Sequence, residues 1–528
     1  MVARRLVITW NALVGIVNVA ERFVGQFLWP QGSKRHTVVY AAINFRKTIS
    51  TGAYYLRAHG VSGFLALVSD RWRHGNVGAD PLSRMVSIEP IQQLGALYLP
   101  QTEDFSAFEI ESDRAVEKSP SGISVVIPVL NGSRDLLKLL PTLHAQKGFL
   151  QIEVIIVDSG STDDTVRIAT ELGAKVIEIP PKEFSHSHSR NVGAQNATQD
   201  FLLFMTVDAL PPSDIWLYEL YTFQQSNQLA AVSCMEIPKC DADLFSRVEN
   251  WYHYRALLEL DGSDRILSMP RSADPASLRK SAQISNVSCL IPRELFLRYG
   301  FRHEYAEDLD LGVRLIRDGQ RLGLLRSTKV IHSHTRPAFY CLKRGYIDKL
   351  VLSQILNEPY EEPTVEFRSF MLDVFFTLNV LQRVSAELDR TIEYTVRFDE
   401  FRRAIKEKYV VPSPASHPKR LSIHRGQFLD GDAISFLTQL YDSYYHPSAQ
   451  QYQRILIPGI EAFHDIAFQY MGITFDILDK TICDDFQSLT YNYFTNLIGR
   501  WLAVYYLKRE AENEGALFAI DAALRGSP

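Results

Sequence analysis

Between Ile123 and Asp208 the chain carries short runs of β-branched and apolar residues, each closed by a polar turn, with amphipathic stretches of helical period between them. The first run, ISVVIPVLNGS, passes Pro128 into an Asn131-Gly132 turn and is followed by RDLLKLLPTLHAQ. The second, QIEVIIVDSGSTDDT, ends at Asp158 and leads through a tight turn into VRIATELGA. Strand, helix, strand, helix in so short a stretch leaves few solutions. Parallel strands need a long crossover, and the right-handed one packs its helix back onto the sheet. The expected fold class is α/β, and in such sheets ligands bind in the crevice beyond the carboxyl ends of the strands. Asp158 and Asn131 therefore belong to one crevice.

A carboxylate at a strand end can accept hydrogen bonds from a nucleobase N–H or a ribose hydroxyl. Ser161, Thr162, Asp163 and Asp164 are favoured turn and helix-cap residues, and Asp158 is open to the same local role. Asp208 closes a third apolar run, FLLFMTV, and stands before Ala209, Leu210 and two prolines, so it is expected at a strand end where the chain turns. In VIHSHTRP another strand-like run ends in His332 and His334, two residues apart and hence on one face of an extended segment. Imidazole binds Mn²⁺ or, when protonated, donates to phosphate; a solvated histidine pair is the plain alternative.

In FSHSHSRNVGAQNA, Arg190 offers a planar donor fork suited to phosphate or carboxylate. The segment YAEDLDLGVRLIRDG places Glu307, Asp308 and Asp310 at the start of a helix whose apolar positions include Leu311, Val313, Leu315 and Ile316. A carboxylate there can take the proton of an attacking hydroxyl. The helix dipole alone would also favour acids at that end.

Taken in order, VVIPVLN, VIIVDSGSTDDT, FSHSHSRNVGA, FMTVDALP, YAEDLDLGVRL and VIHSHTRP resemble the glycosyltransferase family 2 enzymes of GT-A fold, and among them the bacterial rhamnosyltransferase-like members. The resemblance runs from Ser124 to His334, under half of the chain. It implies a Rossmann-like nucleotide-sugar transferase domain in which Pro128, Asn131, Asp158, Arg190 and Asn191 bind the donor nucleotide. Asp208 then stands at the DxD position, where a carboxylate holds a divalent cation, Mg²⁺ or Mn²⁺, that bridges the donor's diphosphate, with His334 as the further metal ligand. Thr206 replaces the first acid of that motif. The histidine-rich segment is similar to the family's FxHGxTRNxG loop, with Ser187 for its glycine and Ser189 for its threonine; His186 and His188 are open to lining the donor sugar or to being ordinary exposed loop histidines. By the same resemblance Asp308 is the base, with Glu307 beside it, and displacement by one base inverts the anomeric carbon.

The implied activity is transfer of a sugar, rhamnose from a thymidine-diphosphate donor, onto a bacterial surface polysaccharide or its lipid-linked precursor. Two other classes fit parts of the chain. Asp158-Ser159-Gly160 matches the signature of aspartic proteases, which need two such aspartates sharing a proton; no second copy occurs here. A transferase domain that has lost catalysis and serves as a binding or assembly module would explain Thr206, but has no use for a base.

A chain of 528 residues is too long for one core. We expect a basic, mainly helical region and linker over 1–120, the transferase domain over 121–345 and a helical domain over 346–528. Residues 1–73 hold ten Lys or Arg against Glu21 and Asp70. Arg4, Asn11, Asn18, Arg22 and Gln26 form one polar stripe on an otherwise apolar helix. That helix is open to docking on the core, to peripheral contact with anionic lipid helped by Lys34, Arg35, Arg46 and Lys47, or to a signal role. Its apolar run is interrupted and falls short of a bilayer span. A net charge of −5 gives no reason to expect nucleic acid. Five cysteines without CxxC spacing indicate neither a disulfide framework nor a zinc site, as expected of a cytoplasmic protein, here one free to sit at the inner face of the membrane.

Overall fold

The computed structural model describes residues 116 and 118–359 apart from 240–241 and 261–262, and beyond them 366–387, 400, 403, 429–444, 482–508 and 514–525. The basic N-terminal helix expected from the sequence lies outside the described residues, as does most of the linker.

In chain order the α/β part consists of β1 (Ile123–Val129), α1 (Ser133–His144), β2 (Ile152–Asp158), α2 (Thr165–Glu171), β3 (Lys175–Glu178), α3 (His186–Gln195), β4 (Phe201–Phe204), α4 (Trp216–Asn227), β5 (Ala231–Ile237), α5 (Leu244–Tyr252), β6 (Arg265–Leu267), α6 (Pro275–Ser281), β7 (Cys289–Pro292), α7 (Arg293–Tyr299), α8 (Glu307–Arg317) and β8 (Leu322–Ile331). Then follow α9 (Ala338–Leu356), α10 (Phe367–Glu387), α11 (Gly431–Tyr444), α12 (Ile482–Lys508) and α13 (Glu514–Leu524). The helix α9 runs through residue 345, where the sequence suggests a boundary.

The eight strands form one sheet in the order β3-β2-β1-β4-β7-β5-β8-β6. β1 pairs parallel with β2 and β4, β2 with β3, and β5 with β8, while β7 and β6 run antiparallel to their neighbours. Six strands therefore point the same way, and the residues following β1, β2, β4, β5 and β8 emerge along one edge. Both faces of the sheet are covered, which explains why its strands read as apolar runs and not as alternation. One face packs Val125, Ile127 and Leu203 against Leu136, Leu139, Leu140 and Leu143 of α1, whose i, i+3, i+4, i+7 spacing builds a single stripe. The other face packs Val126, Val157 and Phe204 with Phe296, Phe301 and the apolar stripe of α8.

Three described helix positions leave no room for a Cβ beside a neighbouring backbone: Gly312, Gly345 and Gly499, whose Cβ would lie 2.1 Å from the Leu342 carbonyl oxygen. A Cβ on Gly312 would lie 1.9 Å from the Ala282 carbonyl oxygen, so α8 is seated directly on the end of α6. A Cβ on Gly345 would lie 2.1 Å from the Asn496 carbonyl oxygen, which brings α9 and α12 into backbone contact. The C-terminal helices carry the aromatic side chains noted in the sequence into their own core: Phe367, Phe370 and Tyr505 are fully buried and pack on one another.

Candidate functional site

Asp158 is the last residue of β2 and almost wholly buried. Its Oδ2 accepts hydrogen bonds from the backbone N–H groups of Gly160 and Ser161, each at 3.0 Å. Its Oδ1 is buried and without a hydrogen-bond partner among the described residues. A buried carboxylate oxygen with no donor is costly, and a ligand N–H or hydroxyl would satisfy it. Asn131 stands across the turn in the left-handed region, φ 52°. Its Oδ1 accepts from Thr162 N at 2.8 Å, and its own N–H donates to Ser161 Oγ at 2.8 Å. Asp163 accepts from Thr165 N and Ser133 N, so the residues after Asp158 do cap and tie turns. Pro128, half-buried in β1, sits beside Val157 in the parallel register.

Asp208 differs from expectation in its setting. β4 ends at Phe204, and the chain turns over Thr206–Ala209, where Ala209 N–H donates to Thr206 O. Asp208 therefore rides on a turn beyond the strand. It meets His332 and His334 at the end of β8, and ligand atoms of all three lie within 4.8 Å of one another. His334 Nδ1 is 3.1 Å from Asp208 Oδ2, His332 Nε2 is 3.6 Å from Asp208 Oδ1, and the two imidazole Nε2 atoms are 3.1 Å apart. His332 Nδ1 is held at 2.7 Å by Glu236 Oε2 at the end of β5.

The electrostatics of the cluster are self-consistent. Burial opposes the charge of Asp208, but His332, His334 and Lys239 outweigh it and hold the carboxyl below its usual range. Burial also works against protonation of His332, yet the bond to Glu236 and the charge of Asp208 raise it. Burial pushes His334 down to about 4, the attraction of Asp208 notwithstanding. His332 thus turns Nδ1 to Glu236 and Nε2 to the Nε2 of His334. Two imidazoles and one carboxylate suit Mn²⁺ better than Mg²⁺, which demands oxygen. Glu236 behind His332 is the carboxylate–histidine arrangement that orients a metal-ligating ring. The residues thus fit a divalent cation.

The second cluster lies at the start of α8, where Glu307 is buried and Asp308 half-buried. Ala306, immediately before the helix, adopts φ 52°. Glu307 Oε1 accepts from Arg190 Nη1 at 3.1 Å and from Asn286 Nδ2 at 2.9 Å, all three residues being under 9 % exposed. Asp308 Oδ2 accepts from Asn286 N–H at 3.2 Å and Oδ1 from Leu309 N–H at 2.8 Å. Burial, reinforced by the neighbouring charge of Glu307, raises the Asp308 carboxyl to about 6. A carboxylate with a proton affinity near neutrality is suited to general base work. The turn before it is braced by α9. Tyr305 Oη donates to Asp348 Oδ1 at 2.6 Å, Asp348 Oδ2 accepts from Arg344 Nε at 3.2 Å, and the Arg344 guanidinium lies 5.0 Å from the Tyr305 ring centroid.

Two residues of the histidine-rich loop are placed otherwise than expected. Arg190, anticipated at the donor phosphates, is buried on α3 and pairs with Glu307, with a further bond from Nη1 to His186 O at 3.2 Å. Asn191, anticipated at the nucleotide, has both ends of its amide engaged by one backbone unit: Nδ2 donates to Phe301 O at 2.9 Å and Oδ1 accepts from Phe301 N at 3.0 Å. These two bonds use one donor and one acceptor of the amide. The residue clamps the loop that leads to α8. His186 is pushed down to about 4 by burial and by Arg190. Ser187 Oγ donates to His303 O, and Ser189 Oγ to Ser185 O at 3.0 Å.

Sequence reasoning missed Glu236, Lys239 and Asn286 as site residues. Glu236 and Lys239 could have been sought at the end of the apolar run AVSCMEI, since every other parallel strand end in the cleft carries a polar group. Asn286 precedes β7, which runs the opposite way, and nothing in its neighbourhood in the sequence marks it.

Residues 124–282 match the model of the family described as Glycosyl transferase family 2. The O-antigen chain rhamnosyltransferase WbaN of Salmonella anatum is 28 % identical over 186 residues, which cover 34 % of this chain and 56 % of that protein. The O-antigen chain rhamnosyltransferase RfbN of Salmonella typhimurium is 24 % identical over 217 residues, 40 % of this chain and 66 % of that one. The chain thus spans less than two thirds of either relative. Among solved structures, the mannosyltransferase PcManGT from Pyrobaculum calidifontis, in complex with GDP-Man and Mn²⁺, is 13 % identical and superposes with a TM-score of 0.38 over 74 % of this chain and 90 % of its own.

Proposed function

We propose, from the match of residues 124–282 to glycosyl transferase family 2, that the protein is an inverting, nucleotide-sugar-dependent glycosyltransferase with its nucleotide, metal and base sites along the carboxyl edge of the sheet. The observation that carries this reading is the setting of two acids: Asp208 clustered with the imidazoles of His332 and His334, and Asp308 at the start of α8 with its proton affinity raised toward neutrality. The unpartnered Oδ1 of Asp158 would accept from the nucleobase or ribose. Asp208, His332 and His334 would hold Mn²⁺, which when bound supplies positive charge to the leaving diphosphate. Asp308 takes the proton of the acceptor hydroxyl as its oxygen attacks the anomeric carbon. The bond to the diphosphate breaks on the opposite side, and its electron pair leaves on a phosphate oxygen. Arg190 and Asn286 hold Glu307, so that the base beside it keeps one geometry.

Likeness to the two rhamnosyltransferases supports rhamnose carried on thymidine diphosphate as the donor, and a growing surface polysaccharide or its lipid-linked precursor as the acceptor. No helix among the described residues is long and apolar enough to cross a membrane; the proposed setting is cytoplasmic, with peripheral contact at the inner membrane face through the basic N-terminal region.

Calorimetric titration with thymidine and uridine diphosphates, each with Mn²⁺ and with EDTA, tests the reading. Tighter binding of the thymidine nucleotide, strengthened by Mn²⁺, is expected. In Asp208→Ala the gain from Mn²⁺ should disappear while binding in EDTA changes little. Failure of the wild-type protein to bind either nucleotide would leave a domain that no longer handles donors, and the transferase reading would fall.

A further inference from the structure

The acid missing at Thr206 leaves Asp208 as the carboxylate of the cluster, and the structure puts a fixed cation on it. Lys239 Nζ lies 3.7 Å from Asp208 Oδ2. Among the described residues the ion pairs of Asp208 are with Lys239, His332 and His334. The lysine is built into the cluster and does not simply drift near it. It follows the end of β5 two residues after Ile237, and its backbone N–H donates at 2.9 Å to the hydroxyl of Ser333, the residue between the two histidines. Its side chain keeps 27 % of its surface exposed, so the ammonium can reach a ligand. Asp135, in the first turn of α1, feels the same ammonium as well as Asp208.

We propose that Lys239 is a donor-binding and catalytic residue: its ammonium contacts the diphosphate and carries part of the charge neutralisation that the missing acid's metal coordination would otherwise supply. A divalent ion on Asp208 and an ammonium beside the same carboxylate repel each other at this range. The Asp208 carboxylate offsets part of that repulsion, and a further anion between them offsets more; a diphosphate is the anion that a nucleotide-sugar brings. The inference rests on the transferase reading above and adds to it two effects of opposite sign. Removing the ammonium weakens diphosphate binding, because a charge-assisted hydrogen bond is lost. It strengthens metal binding in the absence of nucleotide, because a competing cation is gone from Asp208.

The test is calorimetry on the full chain and on Lys239→Met and Lys239→Arg, in three titrations: thymidine diphosphate in EDTA, thymidine in EDTA, and Mn²⁺ without nucleotide. Uridine compounds replace these if the wild type prefers them. Lys239→Met should bind the diphosphate more weakly in EDTA by on the order of 10- to 100-fold, the value of a hydrogen bond to a charged group. It should bind the nucleoside as the wild type does, bind Mn²⁺ more tightly, and be rescued for the diphosphate by Lys239→Arg. Unchanged diphosphate affinity in Lys239→Met would overturn the proposal. So would parallel loss of nucleoside and diphosphate, weaker Mn²⁺ binding, or wild-type binding of the diphosphate only when Mn²⁺ is present. If the wild type binds no nucleotide under any condition, the donor reading falls first and this inference with it.

Discussion

Asp208 and Asp308 are both carboxylates at the carboxyl edge of the sheet, but their surroundings move their proton affinities apart. Asp208 sits on a turn among two imidazoles and an ammonium, and its charge is favoured. Asp308 sits on a helix beside a second acid, with backbone N–H groups as its hydrogen-bond partners, and its charge is disfavoured. Pairs of acids driven apart in this way divide the labour between electrostatic stabilisation and proton transfer. The comparison also shows where rigidity lies. The Asp308 side is held by a buried Arg190–Glu307–Asn286 network and by the Tyr305–Asp348–Arg344 brace, whereas the Asp208 side is assembled from residues at or beyond the ends of β4, β5 and β8. The helix α9 joins the two, since it starts four residues after His334 and carries Asp348 and Arg344 to the turn before Asp308.

The largest expected effect separates the two acids most cleanly. Asp308→Asn should lower turnover by a factor on the order of 10² to 10⁴ while nucleotide affinity, read by calorimetry, stays near wild type; a collapse of affinity would mean that Asp308 belongs to donor binding. Arg190→Met comes next. It leaves Glu307 buried without its cation, and breaking such a pair costs about 3–5 kcal/mol, visible as a large fall in the melting temperature. A melting temperature like that of the wild type would show that the network is not the rigid half of the site.

Glu236→Gln should act on the other half alone. Weakening the carboxylate behind His332 should reduce Mn²⁺ affinity by about 10- to 100-fold and leave metal-free nucleotide binding in place. An equal loss in EDTA would show that Glu236 shapes the cleft and not the metal.

The smallest test uses pH. With Asp308 near 6, the wild-type kcat should fall about tenfold per pH unit below that value and level off above it, as the base must be unprotonated. The sign for stability is the reverse. A carboxyl whose proton affinity is higher folded than unfolded loses stability as pH rises through the folded value, so Asp308→Asn should gain relative to the wild type above pH of about 6 and not below the ordinary carboxylate range. A kcat profile flat from pH 5 to 8 would remove Asp308 as the titrating base.

Much of this architecture is legible in the chain. The β-branched runs at Ile123 and Ile152, the leucine stripe of α1 and the Asn131-Gly132 turn specify parallel strands with helical crossovers, and the carboxyl-edge rule then places Asp158, Asp208 and His332 together. Local turn chemistry after Asp158 is also readable, because it depends on residues two or three positions apart. The exact end of β4 is not, since Thr206 and Asp208 leave the sheet for a turn that their apolar run does not announce.

What the sequence by itself determined is the α/β fold, the edge on which chemistry can occur and the acids and imidazoles available to it, because periodicity and strand-end position are properties of neighbours along the chain. Only the tertiary structure decided who partners whom. Arg190 meets Glu307 across 117 positions, Asn191 meets Phe301 across 110 and His332 meets Glu236 across 96. A guanidinium in a loop motif can serve a phosphate or a buried carboxylate equally well, and its choice follows from burial and packing, which no local pattern carries.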